Sequence, residues 1–227
     1  MISVLTLTYQ RHHLLEEAIE SFLQQTYDGP KEMVIINDSP DVKYIFTHPD
    51  VRIINCPERF SSVGKKLQWG FTQCNSEFIY RLDDDDLLAP WALELQKEYQ
   101  HNDPGYDIYR CQHHYYFLHN KYQGLADSIN NGNCYRADFI NNIEFPDASG
   151  DEDNTITFHR GGKILTKNTG RYSMIYRWGM GVYHISGMGH NPTEEILRRT
   201  DASVQKETGE IYLQPKFLND YYGQLPK

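Results

Sequence analysis

Cationic residues are scarce in this chain: 22 Lys and Arg stand against 31 Asp and Glu, a formal charge of −9. Affinity for phosphate backbones comes mainly from Lys and Arg, so a general nucleic-acid-binding surface is disfavoured. No run of about 18 apolar residues occurs, so no transmembrane helix is expected. The four cysteines, Cys56, Cys74, Cys111 and Cys134, form no CxxC pair, which argues against a zinc knuckle or a disulfide framework. The opening stretch MISVLTLTY enters a strand-like run at once, without a basic leader and small-residue cleavage site. A reducing, cytoplasmic setting is the simplest expectation. Internal repeats, low-complexity segments and a linker long enough to separate a pair of domains are also missing.

Hydrophobic residues make up 39% of the 227 positions, enough for a substantial core. Ile2–Thr8 is β-branched and apolar and reads as a buried strand. Residues 14–25 are apolar at 14, 15, 18, 19, 22 and 23, a helical spacing. Short apolar runs at 33–36, 51–55 and 78–82 read as further strands, with helices over 63–74 and 91–100, the latter opened by Pro90. This alternation predicts a mostly parallel sheet covered by helices. Ligands of such sheets bind beyond the carboxyl ends of the strands. The polar punctuation lies there: Thr8-Tyr9, Asn37-Asp38, and Asp83-Asp84-Asp85-Asp86. The second half is less regular, with an aromatic, β-prone stretch at 106–118, an acidic helix start at 151, and a Gly- and aromatic-rich stretch at 171–189. A polar tail follows.

Four consecutive carboxylates repel one another, and at most positions they form a solvated turn. After a buried strand the repulsion calls for a cation. Mg²⁺ and Mn²⁺ prefer carboxylate oxygens and keep positions open for substrate phosphates. At this point the motifs Thr6-Leu7-Thr8-Tyr9-Gln10-Arg11, Ser21 to Tyr27, Ile35-Ile36-Asn37-Asp38-Ser39, Gly64-Lys65-Lys66 with Gly70, and Leu82-Asp83-Asp84-Asp85-Asp86 with Pro90 stand in an ordered series. The series resembles a family 2 glycosyltransferase with the GT-A fold over about the first 190 residues. The resemblance implies an α/β, Rossmann-like, mostly parallel central sheet flanked by helices, with a C-terminal extension. It divides the chain into a catalytic domain over 1–190 and an extension over 191–227. Within the domain, 1–100 would bind the nucleotide-sugar and 101–190 the acceptor.

The implied activity is metal-dependent, inverting sugar transfer from a nucleotide-sugar, a UDP-sugar by preference, to a hydroxyl acceptor. Mn²⁺ or Mg²⁺ would sit on Asp85, with Asp83 or Asp84 at the ribose. Thr8, Tyr9, Arg11, Asn37, Asp38, Lys65 and Lys66, with Arg59 as a further candidate, would meet the nucleotide. Two departures stand out: Gln10 replaces the usual Asn, and Asn37 the usual Asp. Glu152-Asp153 followed by Arg160 resembles the family's acidic motif over the sugar, making Asp153 the general base and Glu152 an orienting group. Tyr183-His184 matches the placement of a third metal ligand, with His190 as the alternative. Trp178 and Tyr183 are candidates for an acceptor platform. A glycan acceptor is favoured over a protein or a modified DNA base, which the negative charge opposes. Two rival classes remain. A nucleotidyltransferase normally carries a glycine-rich loop that 8–11 lacks, and a non-catalytic binding module would not need both acidic motifs.

Overall fold

The computed structural model describes residues 1–147, 155–156, 162–178 and 206–226. Its core is a seven-stranded sheet built from β1 (Ile2–Thr8), β2 (Lys31–Asn37), β4 (Val51–Asn55), β5 (Phe78–Arg81), β7 (Ile108–Cys111), β10 (Cys134–Arg136) and β11 (Ile164–Lys167). Their order across the sheet is β11-β7-β10-β5-β1-β2-β4. The block β4-β2-β1-β5 is parallel, β10 runs against both neighbours, and β11 is parallel to β7. From β1 the chain winds outward through β2 to β4 and then returns to place β5 on the other side of β1. The winding reverses at β1, and the crevice at such a reversal is where ligands of open α/β sheets bind.

Side chains alternate across each strand, so one sheet feeds two cores. Ile2, Val4, Met33 and Ile35 pack on one face with Leu15, Ala18, Ile19 and Phe22 of α1 (His12–Leu23). Leu5, Val34, Ile36 and Ile79 pack on the other with Leu67 and Phe71 of α2 (Val63–Thr72). Burying one such side chain contributes roughly 1.5–3 kcal/mol. The third long helix, α3 (Ala92–Asn102), covers the first face, and α4 (Ala137–Ile140) follows β10.

The expected mostly parallel sheet with flanking helices is thus present, with local differences. Helix α1 begins at His12, two residues before the periodicity, because a carboxylate from far along the chain, Glu207, accepts the His12 N–H at 3.0 Å. Strand β3 (Val42–Ile45), not assigned from the sequence, pairs in parallel with β13 (Gly209–Tyr212). A further four-stranded sheet is built from β6 (Leu87–Leu88), β8 (His113–Leu118), β9 (Lys121–Asp127) and β12 (Met174–Trp178), in the order β6-β12-β8-β9. It stands over the acidic run, because β6 follows that run directly. Residues 206–226 return to the domain, where Leu213, Tyr221 and Leu225 enter the first core. Among the described residues no helix is long and apolar enough to cross a membrane.

Candidate active site

The carboxyl ends of β1, β2 and β5 form the floor of the crevice, with Thr8 and Asn37 in register. The four Asp residues leave β5 in a tight turn, closed by the Asp86 N–H donating to the Asp83 carbonyl at 3.1 Å. They end in unlike environments. The Asp83 side chain is 36% exposed, with Arg81 Nε 3.3 Å from its Oδ1. Asp84 is fully buried and held through both oxygens by Arg11, which donates from Nε at 3.2 Å and also from Nη2. Asp85 is nearly enclosed, with the Arg11 Nη1 at 3.4 Å. Asp86 is buried and accepts from the Arg177 N–H at 2.7 Å and from Asn131 Nδ2.

Burial pushes the Asp84 carboxyl up to about 6 against the pull of Arg11, with Asp85 adding like-charge repulsion. Burial and the Asp85 charge raise Asp86 well above the usual carboxylate range. Oxygen atoms of Asp83, Asp85 and Asp86 lie within 4.8 Å of one another. A desolvated, self-repelling set of carboxylate oxygens suits a hard divalent cation. Asp84 and Asp86 each accept a donor on both oxygens and are closed off, whereas the side chain of Asp83 is 36% exposed and that of Asp85 9%. Either Mn²⁺ or Mg²⁺ fits this donor set.

Thr8 is buried at the end of β1, and its carbonyl accepts from Lys66 Nζ at 2.7 Å. Lys66 is itself buried and reaches Asp38 Oδ1 at 2.5 Å, while Asp38 Oδ2 accepts from the Phe60 N–H at 3.1 Å. Asn37 spends its amide within the chain, donating to the Val42 carbonyl and Asn55 Oδ1 and accepting from the Ser39 N–H. Lys65 donates to the Phe145 carbonyl at 2.8 Å. Tyr9 is half-buried, and the exposed Arg59 lies over its ring with its guanidinium carbon 4.2 Å from the centroid. The fold therefore gathers Thr8, Tyr9, Arg11, Asn37, Asp38, Lys66 and the acidic run at one place. Tyr9, Arg11, Arg59 and Asp83 keep exposed surface there, whereas Asn37, Asp38, Lys66 and Asp84 are committed to contacts behind it.

Gln10 has φ 51°, in the left-handed region where Asn is several-fold enriched. That geometry gives a physical reason for the Asn usual at this position. Trp178 ends β12 half-buried, with its ring 6.4 Å from that of Tyr176. Glu152, Asp153, Tyr183, His184 and His190 lie outside the described residues.

Sequence reasoning missed four residues that shape this site. The Tyr44 hydroxyl accepts the Arg11 N–H at 3.0 Å and donates to Glu207. Asn131 accepts the Asp83 N–H at 3.0 Å and donates to Asp86, holding both ends of the turn. Arg177 donates from Nε to the Asp85 carbonyl at 2.6 Å. Each lies far from the acidic run in sequence and carries no local pattern that points to it.

Comparison with known proteins bears on this geometry. The model of the family described as glycosyl transferase family 2 matches residues 3–159. An amylovoran biosynthesis glycosyltransferase of Erwinia amylovora is 30% identical over 112 residues, covering 46% of this chain and 42% of that protein. An O-antigen biosynthesis glycosyltransferase of Escherichia coli is 30% identical over 105 residues, covering 44% and 41%. The chain thus spans about two-fifths of the length of these curated relatives. Among solved structures, S. aureus TarS 1-349 in complex with UDP-GlcNAc superposes with TM-score 0.65 at 17% identity, covering 89% of this chain and 66% of that one. A Pyrobaculum calidifontis mannosyltransferase in complex with GDP-Man and Mn²⁺ gives TM-score 0.56 at 18% identity, covering 77% and 56%. At these identities the structural likeness speaks for the fold alone.

Proposed function

This chain belongs to glycosyl transferase family 2, and from that premise we propose that it transfers a sugar from a nucleotide-sugar, UDP-linked by preference, to a hydroxyl of a glycan. The observation that carries the reading is the acidic turn at the reversal point of the sheet. There the oxygens of Asp83, Asp85 and Asp86 cluster, and Asp83 and Asp85 keep some exposed side-chain surface. Support for UDP comes from the TarS complex, and for a glycan acceptor from the relatives' roles in amylovoran and O-antigen biosynthesis.

Asp85 and Asp83 would hold Mn²⁺ or Mg²⁺, with His184 as the third ligand. Bound there, the cation supplies Lewis-acid neutralisation of negative charge on the diphosphate. Asp83, the accessible member of the Asp83/Asp84 pair, also suits the ribose. Tyr9 with Arg59 across its ring offers a flat, partly cationic wall for the base. Arg11, fixed by Asp84, keeps a guanidinium beside the diphosphate. Lys66, Asp38 and Asn37 act from behind by fixing the strand ends, and Lys65 tethers α2. Asp153 takes the acceptor proton during attack, with Glu152 orienting the sugar and Trp178 and Tyr183 supplying a stacking platform. Inversion requires that base to stand on the face opposite the leaving diphosphate. Residues 1–100 would carry the donor and 101–190 the acceptor, with 191–227 as the extension.

Calorimetry tests the donor side: UDP binding should strengthen when Mn²⁺ is added. Absence of binding by UDP and GDP, with and without metal, would remove the basis of the reading. A panel of nucleotide-sugars and glycan acceptors, with the product's anomeric configuration read by NMR, tests the transfer. A retained configuration would overturn the assigned roles of Asp153 and Glu152.

A further inference from the structure

A heavily bonded side chain beside the acidic turn belongs to a residue no motif contains. Arg177 of β12 is fully buried, as is its partner Glu17 on α1. Its backbone N–H donates to Asp86 Oδ1 at 2.7 Å and its Nε to the Asp85 carbonyl at 2.6 Å. Its Nη1 donates to Glu17 Oε2 and, at 3.0 Å, to the Tyr221 hydroxyl. Tyr221 is also fully buried, with its ring centroid 5.3 Å from the guanidinium carbon and its hydroxyl donating to Asn120 Oδ1 at 3.0 Å. Glu17 receives the Leu218 N–H at 2.9 Å on its other oxygen.

Two features of this arrangement exceed what core packing needs. A buried ion pair is commonly replaceable by apolar residues of similar volume without loss of stability, so its presence alone does not explain itself. The groups Arg177 holds are also particular ones. Its guanidinium fixes the Asp85 carbonyl, and so sets the orientation of the peptide that follows the Asp85 side chain, while the strand that carries it presents a backbone N–H to the Asp86 carboxylate. It occupies one oxygen of Asp86, whose other oxygen is taken by Asn131. The guanidinium and its Glu17 partner are in turn clamped by residues 218 and 221 of the C-terminal segment, over forty positions from Arg177 in sequence.

We propose that Arg177, braced by Glu17 and Tyr221, is a positioning residue that holds the acidic turn in its cation-receiving shape, so that the segment around Tyr221 is part of the donor site. This rests on the metal reading of Asp83 and Asp85. Partners that orient metal ligands typically change metal affinity 10–100-fold when removed.

The test reads Mn²⁺ binding directly, by calorimetry and by the EPR signal of free Mn²⁺, with thermal melting in parallel and no activity assay. The variants are Arg177→Met, Tyr221→Phe, Glu17→Met with Arg177→Met, and Tyr99→Phe. The last removes a hydroxyl whose partners are Thr169 and Cys111 rather than any group of the turn. Arg177→Met should weaken Mn²⁺ at least about tenfold, and Tyr221→Phe, which removes one of the bonds to the guanidinium, should weaken it measurably but less. Tyr99→Phe should lower the melting temperature and leave Mn²⁺ affinity unchanged. The double variant removes both buried charges and should melt above Arg177→Met, yet bind Mn²⁺ as weakly. Should Arg177→Met fail to fold, Tyr221→Phe and the double variant carry the test. Wild-type affinity in Arg177→Met, in Tyr221→Phe or in the double variant overturns the proposal. A wild-type protein that binds no Mn²⁺, with or without UDP, overturns the metal reading, and the proposal falls with it.

Discussion

Replacing Lys66 by Met separates two roles for that residue, a brace inside the fold and a ligand for phosphate. Lys66 is 5% exposed and Asp38 is 4% exposed. The ammonium lies 2.5 Å from Asp38 Oδ1 and 2.7 Å from the Thr8 carbonyl. It thereby ties the end of β1 to the end of β2. Methionine keeps most of the apolar stem but removes the charge, leaving Asp38 buried with the Phe60 N–H at 3.1 Å. Removing one partner of a buried ion pair costs about 3–5 kcal/mol, because the remaining charge stays desolvated. At roughly 2–4 °C per kcal/mol for a chain of this size, the melting temperature should fall by roughly 6–20 °C. Adding Asp38→Asn removes the stranded charge and keeps the acceptor for Phe60. The double variant should therefore recover at least about 1 kcal/mol relative to Lys66→Met. Thermal and urea melts of nucleotide-free protein supply the stability values, and UDP calorimetry well below the melting range supplies the affinity. A Lys66→Met protein that melts like the wild type yet loses UDP affinity by an order of magnitude would refute the brace and return Lys66 to the diphosphate.

Burial holds the His114 imidazole down to about 4 from its ordinary 6.5, so the unfolded chain binds a proton that the folded chain refuses in that interval. The His114 contribution to stability should therefore rise from pH 4 to pH 6.5, by roughly 3 kcal/mol at 1.36 kcal/mol per unit, while the raised Asp84 carboxyl works in the opposite direction over the same interval. The difference between wild type and His114→Gln in urea melts isolates it, and the variant should gain relative to wild type as the pH falls. Gly132 has φ +83°, and a Cβ there would lie 2.7 Å from Met174 Sδ and 3.0 Å from His114 Cε1. Gly132→Ala should cost about 2–4 kcal/mol, from the left-handed backbone and the overlap together, and a neutral melt would contradict that geometry. Asp85→Asn should abolish the strengthening of UDP binding by Mn²⁺ while the protein melts at or above the wild-type temperature, since it relieves like-charge crowding; persistence of the metal response in calorimetry would move the site elsewhere. Asp153→Asn should bind UDP and metal normally but transfer sugar about 10²–10⁴-fold more slowly, as measured by single-turnover kinetics.

The sequence determined the frame because the signals that set it are local. The β-branched, apolar run over Ile2–Thr8 and the helical spacing from Leu14 to Phe22 are satisfied within one element, so the strands, the helices and the parallel sheet were legible from local pattern alone. The acidic turn was legible too, since four carboxylates after a buried strand are unusual at any position. What residue type and spacing could not rank was the four Asp residues, which are identical as letters; the family resemblance alone put the metal on Asp85. The tertiary structure separated them by contact, because it brings Arg11 onto Asp84 and Arg177 and Asn131 onto Asp86, while Asp83 and Asp85 keep some exposed surface. The same holds for Lys66 and Asp38, which the order of motifs places at the crevice and the packing turns toward each other. The first turn of α1 has no capping side chain nearby in sequence, since its acceptor is Glu207, 195 positions away. Local chemistry fixes which groups can act; burial and long-range partners fix which of them still have an atom to offer, and those depend on contacts no window of sequence contains.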